Sequence, residues 1–244
     1  MKRGCSLSGR FRQYGASLLL VQLLLACSPD PAGQGNASNG GAAQNVATPA
    51  PSNATIPADA KLVVAFGDSL YAGYSLGPTE GFAPVLEKAL VARGIKARVF
   101  NAGVSGDTST DGRGRLAFTL DGLPRKPDLV LVGLGGNDML RGLGPEMTRE
   151  NLDAILGDLK TRGIPAMLTG MMASPNMGPD YAAKFNPIYT DLAKKYAVPL
   201  YPFFLAGVIG HRDLQLPDGI HPNPKGVAIV VDKLAPAVVG TLGK

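Results

Sequence analysis

The sequence predicts an α/β fold, a three-layer α/β/α sandwich on a parallel sheet, over residues 61–244. Short continuous apolar runs alternate with longer segments of helical periodicity, which implies parallel strands joined by helical crossovers. The connections are short, and right-handed crossovers then place helices on both faces of the sheet. Polar clusters also follow the strands directly, where folds of this kind hold their chemistry.

The elements follow in order. Lys61–Phe66 is an unbroken apolar run after its lysine, as in a strand buried on both faces, and Gly67-Asp68 breaks it. Phe82–Arg93 reads as a helix, with Val85, Leu86, Leu90 and Val91 on one side and Gly94 as its stop. Ala97–Phe100 is a short strand running into Asn101-Ala102-Gly103, and Ser109–Leu120 is helical despite Gly112 and Gly114. Leu129–Leu134 is a fully apolar strand stopped by Gly135-Gly136. Thr148–Thr161 is an amphipathic helix with Leu152, Ile155, Leu156 and Leu159 in register. Ala166–Leu168 reads as a strand, Tyr181–Tyr196 as one helix, Val198–Tyr201 as a strand and Gly226–Leu242 as a closing helix.

The first 60 residues read differently. Lys2, Arg3, Arg10 and Arg12 precede an apolar stretch, Ala16–Ala26, of signal-peptide length and too short to span a membrane comfortably. It ends Leu24-Leu25-Ala26-Cys27, which resembles the lipobox of bacterial lipoproteins. Residues 1–26 are therefore expected to be removed and Cys27 to be acylated. The expected location is the periplasmic side of the bacterial envelope, lipid-anchored to a membrane. Residues 27–60 would form a tether rich in Ala, Gly, Asn, Pro and Ser, too polar to bury a core. The other cysteine, Cys5, lies in the segment to be removed, so no disulfide or cysteine-based metal site is expected in the mature chain.

The formal net charge of +5 has a local source. Residues 1–60 carry four Lys/Arg against two Asp, leaving 20 basic and 17 acidic residues in the domain. No basic run interleaved with aromatics appears there, so nucleic-acid binding has no support. A monomer is expected.

Chemistry begins at Ser69, directly after the first strand in Gly67-Asp68-Ser69-Leu70. A turn there would hold the hydroxyl at the sheet edge, as in a nucleophile elbow, although the sequence is not Gly-x-Ser-x-Gly. Taken alone, a helix-capping serine is the more frequent occupant of such a position. A serine nucleophile needs a base. Two histidines exist, His211 and His221. His221 has Asp218 three residues before it, close enough for one turn to bring the carboxylate to imidazole Nδ1 and fix its tautomer. Donors for an oxyanion are available at the Ser69 N–H, at the Gly106 N–H, which no side chain shields, and at the Asn137 amide. Ser105-Gly106-Asp107 is equally suited to a plain turn, and Asn137 to a cap at the strand end.

Four blocks in order, Gly67-Asp68-Ser69-Leu70, Ser105-Gly106-Asp107-Thr108-Ser109, Gly135-Gly136-Asn137-Asp138 and Asp218-Gly219-Ile220-His221-Pro222-Asn223, resemble those of the SGNH (GDSL) hydrolases. The resemblance is to the branch of the periplasmic thioesterase/lysophospholipase and the arylesterases, and it covers residues 61–244. It implies a flavodoxin-like sheet. It also implies Ser69 as nucleophile, Asp218 and His221 as the rest of a triad, and Ser69, Gly106 and Asn137 as the oxyanion hole. No cofactor and no metal are implied.

The expected substrate is a small acyl ester, thioester or lysophospholipid. Met172 and Met177, in the segment after the fourth strand, and Leu140 and Leu143, after the third block, could line an apolar acyl channel, since methionine adapts to varied ligands. Ordinary packing accounts for such methionines equally well. Arg141 could meet a head group or face solvent. Two rivals stand beside this reading. A carbohydrate or peptidoglycan O-deacetylase would use the same machinery, and acetyl-xylan against octanoyl esters separates it. A non-catalytic ligand-binding surface lipoprotein would leave Ser69 unlabelled by a fluorophosphonate.

Overall fold

The computed structural model describes residues 56–243. The expected signal segment, Cys27 and all but the last five residues of the expected tether lie outside the described residues. Those five end in a turn, with Ala60 N–H donating to the Pro57 carbonyl at 3.0 Å.

Five parallel strands form one sheet, β1 (Lys61–Gly67), β2 (Ala97–Gly103), β3 (Leu129–Gly133), β4 (Ala166–Thr169) and β5 (Leu200–Tyr201), in the order β2-β1-β3-β4-β5. That is the doubly wound arrangement expected. Alternate residues of β1 serve opposite layers. Val63 and Ala65 pack with Leu129, Leu131 and Met167 beneath α2 (Phe82–Ala92) and α8 (Pro224–Leu242). Val64 and Phe66 pack with Val130, Val132 and Leu168 beneath α3 (Ser109–Asp121), α5 (Pro145–Thr161) and α7 (Pro187–Tyr196). The edge strand β2 is shielded by Glu87 of α2, whose carboxylate accepts from the Val99 N–H and from Arg98, each at 2.8 Å. Covering an edge amide in this way blocks pairing with another strand.

Several expected boundaries shift. The single helix expected over 181–196 is two, α6 (Pro179–Phe185) and α7, because Pro187 has no N–H to give the preceding turn and its ring crowds that turn's carbonyl. Prolines also start α5 and α8 two or three residues early, at the first helical position where a missing N–H costs nothing. Gly67 belongs to β1 rather than ending it, and β5 is shorter than expected. Two one-turn helices were not expected, α1 (Ser69–Ala72) and α4 (Gly136–Leu140). Both lie at the carboxyl ends of strands.

The chain leaves β1 for β2 on one side and returns to β3 on the other. In open α/β sheets, ligands bind beyond the carboxyl ends of the strands at such a reversal. Gly67, Gly103 and Gly133 end the three neighbouring strands and stand in register with one another. A Cβ at Gly103 would sit 2.2 Å from the Ala72 backbone nitrogen, and one at Gly133 would sit 2.2 Å from the Tyr71 ring. The row of glycines is what lets α1 lie across the sheet end.

Candidate active site

Ser69 is the first residue of α1. Asp68 caps the helix, its Oδ1 accepting from the Leu70 N–H at 3.0 Å. Tyr71, two residues on, is buried and donates to or accepts from Thr169 Oγ1 at 2.6 Å. Its ring packs against Phe82 and Phe204, with centroids 4.8 and 5.1 Å away. The turn that carries Ser69 is therefore pinned to the core by the residue pointing the other way.

His221 arrives from a different construction. Residues 214–223 form a narrow hairpin in which Leu216 N–H donates to the His221 carbonyl at 2.8 Å and Asn223 N–H to the Leu214 carbonyl at 2.9 Å. Gln215 is buried under it and donates from Nε2 to the Gly219 carbonyl at 2.6 Å. Within the loop, Asp218 Oδ1 accepts from the N–H groups of Ile220 (2.9 Å) and His221 (3.0 Å). Asp218 Oδ2 lies 2.7 Å from His221 Nδ1, and His221 Nε2 lies 2.8 Å from Ser69 Oγ. Sequence separations of 3 and 152 residues thus close into one hydrogen-bonded line. His221, not His211, is the histidine that meets Ser69.

The carboxyls of this region are tuned in opposite directions. Burial works against the charged form of Asp218, but the two backbone N–H groups and His221 outweigh it and hold the carboxyl below its usual range. Asp68 makes no ion pair among the described residues, and burial, aided by Asp107 and Asp138, pushes it up to about 7 despite the Leu70 N–H.

The segment between β2 and α3 closes the site from a third side. Gly106 has φ +88°, a conformation that suits glycine. Asn137, on α4, donates from Nδ2 to the Asp107 carbonyl at 2.9 Å, and Arg141 donates to the Gly106 carbonyl at 2.6 Å. Arg115 of α3 binds the Asp107 carboxylate at 2.5 Å, donates to the Gly67 carbonyl at 2.9 Å and lies over the Phe66 ring at 4.2 Å. Behind it, buried Asp138 takes the Ser109 N–H at 2.7 Å and the Thr148 hydroxyl at 3.2 Å, while Asn151 donates to Ser109 Oγ at 3.1 Å. This network locks α3, α4 and α5 together. The backbone N–H groups of Ser69 and Gly106 make no hydrogen bond among the described residues.

Of the expected acyl-channel residues, Leu140 and Met172 are exposed, whereas Met177 is half-buried and packs against the core beneath α5 to α7. Leu143 lends its carbonyl to the Tyr181 hydroxyl at 3.0 Å. Met171 is the neighbour that sequence reasoning passed over. Its Cε lies 3.5 Å from where a Gly136 Cβ would stand, next to Asn137. Arg115 and the Ser109–Asp138–Asn151 network were missed as well. An Asp immediately after the third block's Asn was the one available signal.

A serine and histidine joined at the carboxyl rim of a β2-β1-β3-β4-β5 sheet define the class of protein, a serine hydrolase on a doubly wound fold. The chain belongs to the GDSL-like Lipase/Acylhydrolase family, whose pattern matches residues 65–229. It is a carboxylic ester hydrolase of the GDSL (SGNH) type. It is 39% identical to "Esterase TesA" of Pseudomonas aeruginosa over 69% of this chain and 83% of that one. It is 38% identical to "Thioesterase 1/protease 1/lysophospholipase L1" of Escherichia coli K12, over 73% and 83% of the two chains. The crystal structure of AlinE4, an SGNH-hydrolase family esterase, superimposes with a TM-score of 0.64 at 48% identity, covering 75% of this chain and 97% of that one.

Proposed function

We propose that the chain hydrolyses acyl esters and thioesters through a Ser69–His221–Asp218 triad and an acyl-enzyme. The observation that carries the reading is the unbroken line from Asp218 Oδ2 through the imidazole to Ser69 Oγ. In acylation, His221 Nε2 takes the Ser69 proton as Oγ attacks the carbonyl carbon. The resulting oxyanion is received by the Ser69 and Gly106 N–H groups and by the second N–H of the Asn137 amide, the first being held by Asp107. The imidazolium, fixed in tautomer by Asp218, returns its proton to the departing alkoxide or thiolate. Water then repeats the sequence on the acyl-enzyme, releasing the acid and restoring Ser69.

The names of the relatives, an esterase and a thioesterase/lysophospholipase, support acyl esters and thioesters as the substrate class. Leu140 and Met172, exposed beyond the carboxyl ends of β3 and β4, suit an acyl chain reaching the serine. With p-nitrophenyl acetate and butyrate, Ser69→Ala is expected to fall to the rate of buffer while keeping wild-type thermal unfolding. Turnover near wild type in that variant would end the triad reading.

A further inference from the structure

The hydrogen bonds at Nδ1 and Nε2 hold the His221 imidazole along one line through the ring. They do not fix its tilt about that line. The tilt would otherwise be set by Cβ, which hangs from a loop exposed from Pro217 to Ile220. Something on the ring face is needed, and Tyr74 stands there. Its ring centroid is 4.5 Å from that of the imidazole, with 32° between the planes.

Tyr74 is carried by the same turn as the nucleophile. At the end of α1 the N–H groups of Gly73 and Tyr74 both donate to the Ser69 carbonyl at 3.2 Å. Gly73, at φ +81°, turns the chain back, and Ser75 follows at φ +55°. Ser69 therefore holds the imidazole from its edge by Oγ and, through its own carbonyl, sets the aromatic ring against the imidazole face. Tyr74 is 39% exposed and belongs to neither layer of the core.

We propose that Tyr74 is a positioning residue for the reaction: its ring holds the His221 imidazole at the tilt that aims Nε2 at Ser69 Oγ, and its face stabilises the imidazolium formed in each half-reaction. The second effect is electrostatic. The negative face of an aromatic ring favours a cation over a neutral group when the two lie within about 6 Å. The neutral resting imidazole gains little from it, and the transition state gains more, so the benefit appears in kcat. The inference rests on His221 being the base.

The test compares Tyr74→Phe and Tyr74→Leu on p-nitrophenyl acetate, butyrate and octanoate. Tyr74→Phe keeps the ring and is expected to stay within about twofold of wild type, whereas Tyr74→Leu is expected to lose about three- to thirtyfold in kcat. KM should hold within about twofold, and the loss should be the same for all three chain lengths. Unchanged kcat in Tyr74→Leu, or a loss confined to KM or growing with chain length, would overturn the proposal and make Tyr74 a spectator or a substrate contact. Replacing Tyr74 with phenylalanine of increasing fluorination preserves shape and drains the ring face, so it separates charge from fit even if Tyr74→Leu folds badly. Stepwise falling kcat is expected, and a flat series would remove the imidazolium role. His221→Ala, run alongside, keeps the two readings apart. If it retains activity the triad itself fails, and if it is inactive while Tyr74→Leu is not, only the present inference falls.

Discussion

The two halves of the site are built by different physics. Ser69 stands on a helical turn laid over three strand-end glycines and anchored by buried Tyr71, so its position is a consequence of the core. His221 and Asp218 stand on a hairpin whose tip is exposed and whose geometry comes from its own hydrogen bonds. The electrostatics divide in the same way. Asp68, on the core side, is pushed towards its neutral form by burial, while Asp218, on the loop side, is held charged by N–H donors. The nucleophile of the proposed triad has a fixed address, which packing supplies. In the proposed triad the base gains and returns a proton in each half-reaction, and the hairpin supplies the carboxylate beside it.

If this division is right, damage to the loop should cost activity and not stability. His221→Ala is expected to reduce kcat by about 10⁴-fold or more, with a thermal midpoint close to wild type, as read by ester turnover and calorimetry on one preparation. A large drop in the midpoint would mean that the hairpin is part of the core and that the contrast is wrong. Gly103→Ala probes the other half. Its new Cβ meets the backbone of α1, which has no flexible end to move aside. Overpacking of this kind costs about 1–3 kcal/mol, visible as a lower denaturant midpoint, and the displaced α1 should carry Ser69 away from His221 and lower kcat as well. Full stability in Gly103→Ala would show that α1 is as loosely held as the hairpin.

The same division decides what could be read from the sequence. β1, β3 and β4 were legible because strands buried on both faces must be apolar throughout, as in Leu62–Phe66 and Leu129–Val132. The polar blocks were legible because chemistry at strand ends interrupts those runs abruptly, and Asp218 with His221 was legible because a three-residue spacing is local. The break at Pro187 and the helix starts at Pro145 and Pro224 were written in the sequence, but helical periodicity on either side outweighed them. What stayed hidden depends on distant partners. Arg115 reaches Gly67 across 48 residues, Ser109 reaches Asp138 across 29, and Tyr74 meets His221 only because α1 and the hairpin converge. No local pattern encodes a contact whose two sides are set by separate elements.

The smallest expected effect concerns the charge contrast itself. Because the folded chain holds Asp68 at about 7 and the unfolded chain releases its proton near the ordinary 3.8, the folded state binds the extra proton between those values. Stability from this group is thus fully present below about pH 4 and is lost as pH rises to about 7. Asp218, lowered in the folded state, works in the opposite sense: its contribution is present above the ordinary carboxylate range and lost on acidification. Absolute stability curves mix the two, so the comparison should be made by difference. Asp68→Asn keeps an oxygen for the Leu70 N–H and removes the titration. Relative to wild type it is expected to gain about 1–2 kcal/mol between pH 4.5 and pH 8, less than the full shift would give because water reaches the rim beside half-buried Ser69. Urea unfolding of both proteins at the two pH values measures it. Parallel curves would mean that Asp68 is ionised at ordinary pH in spite of its burial, and the nucleophile side would then owe its placement to a buried charge as well as to packing.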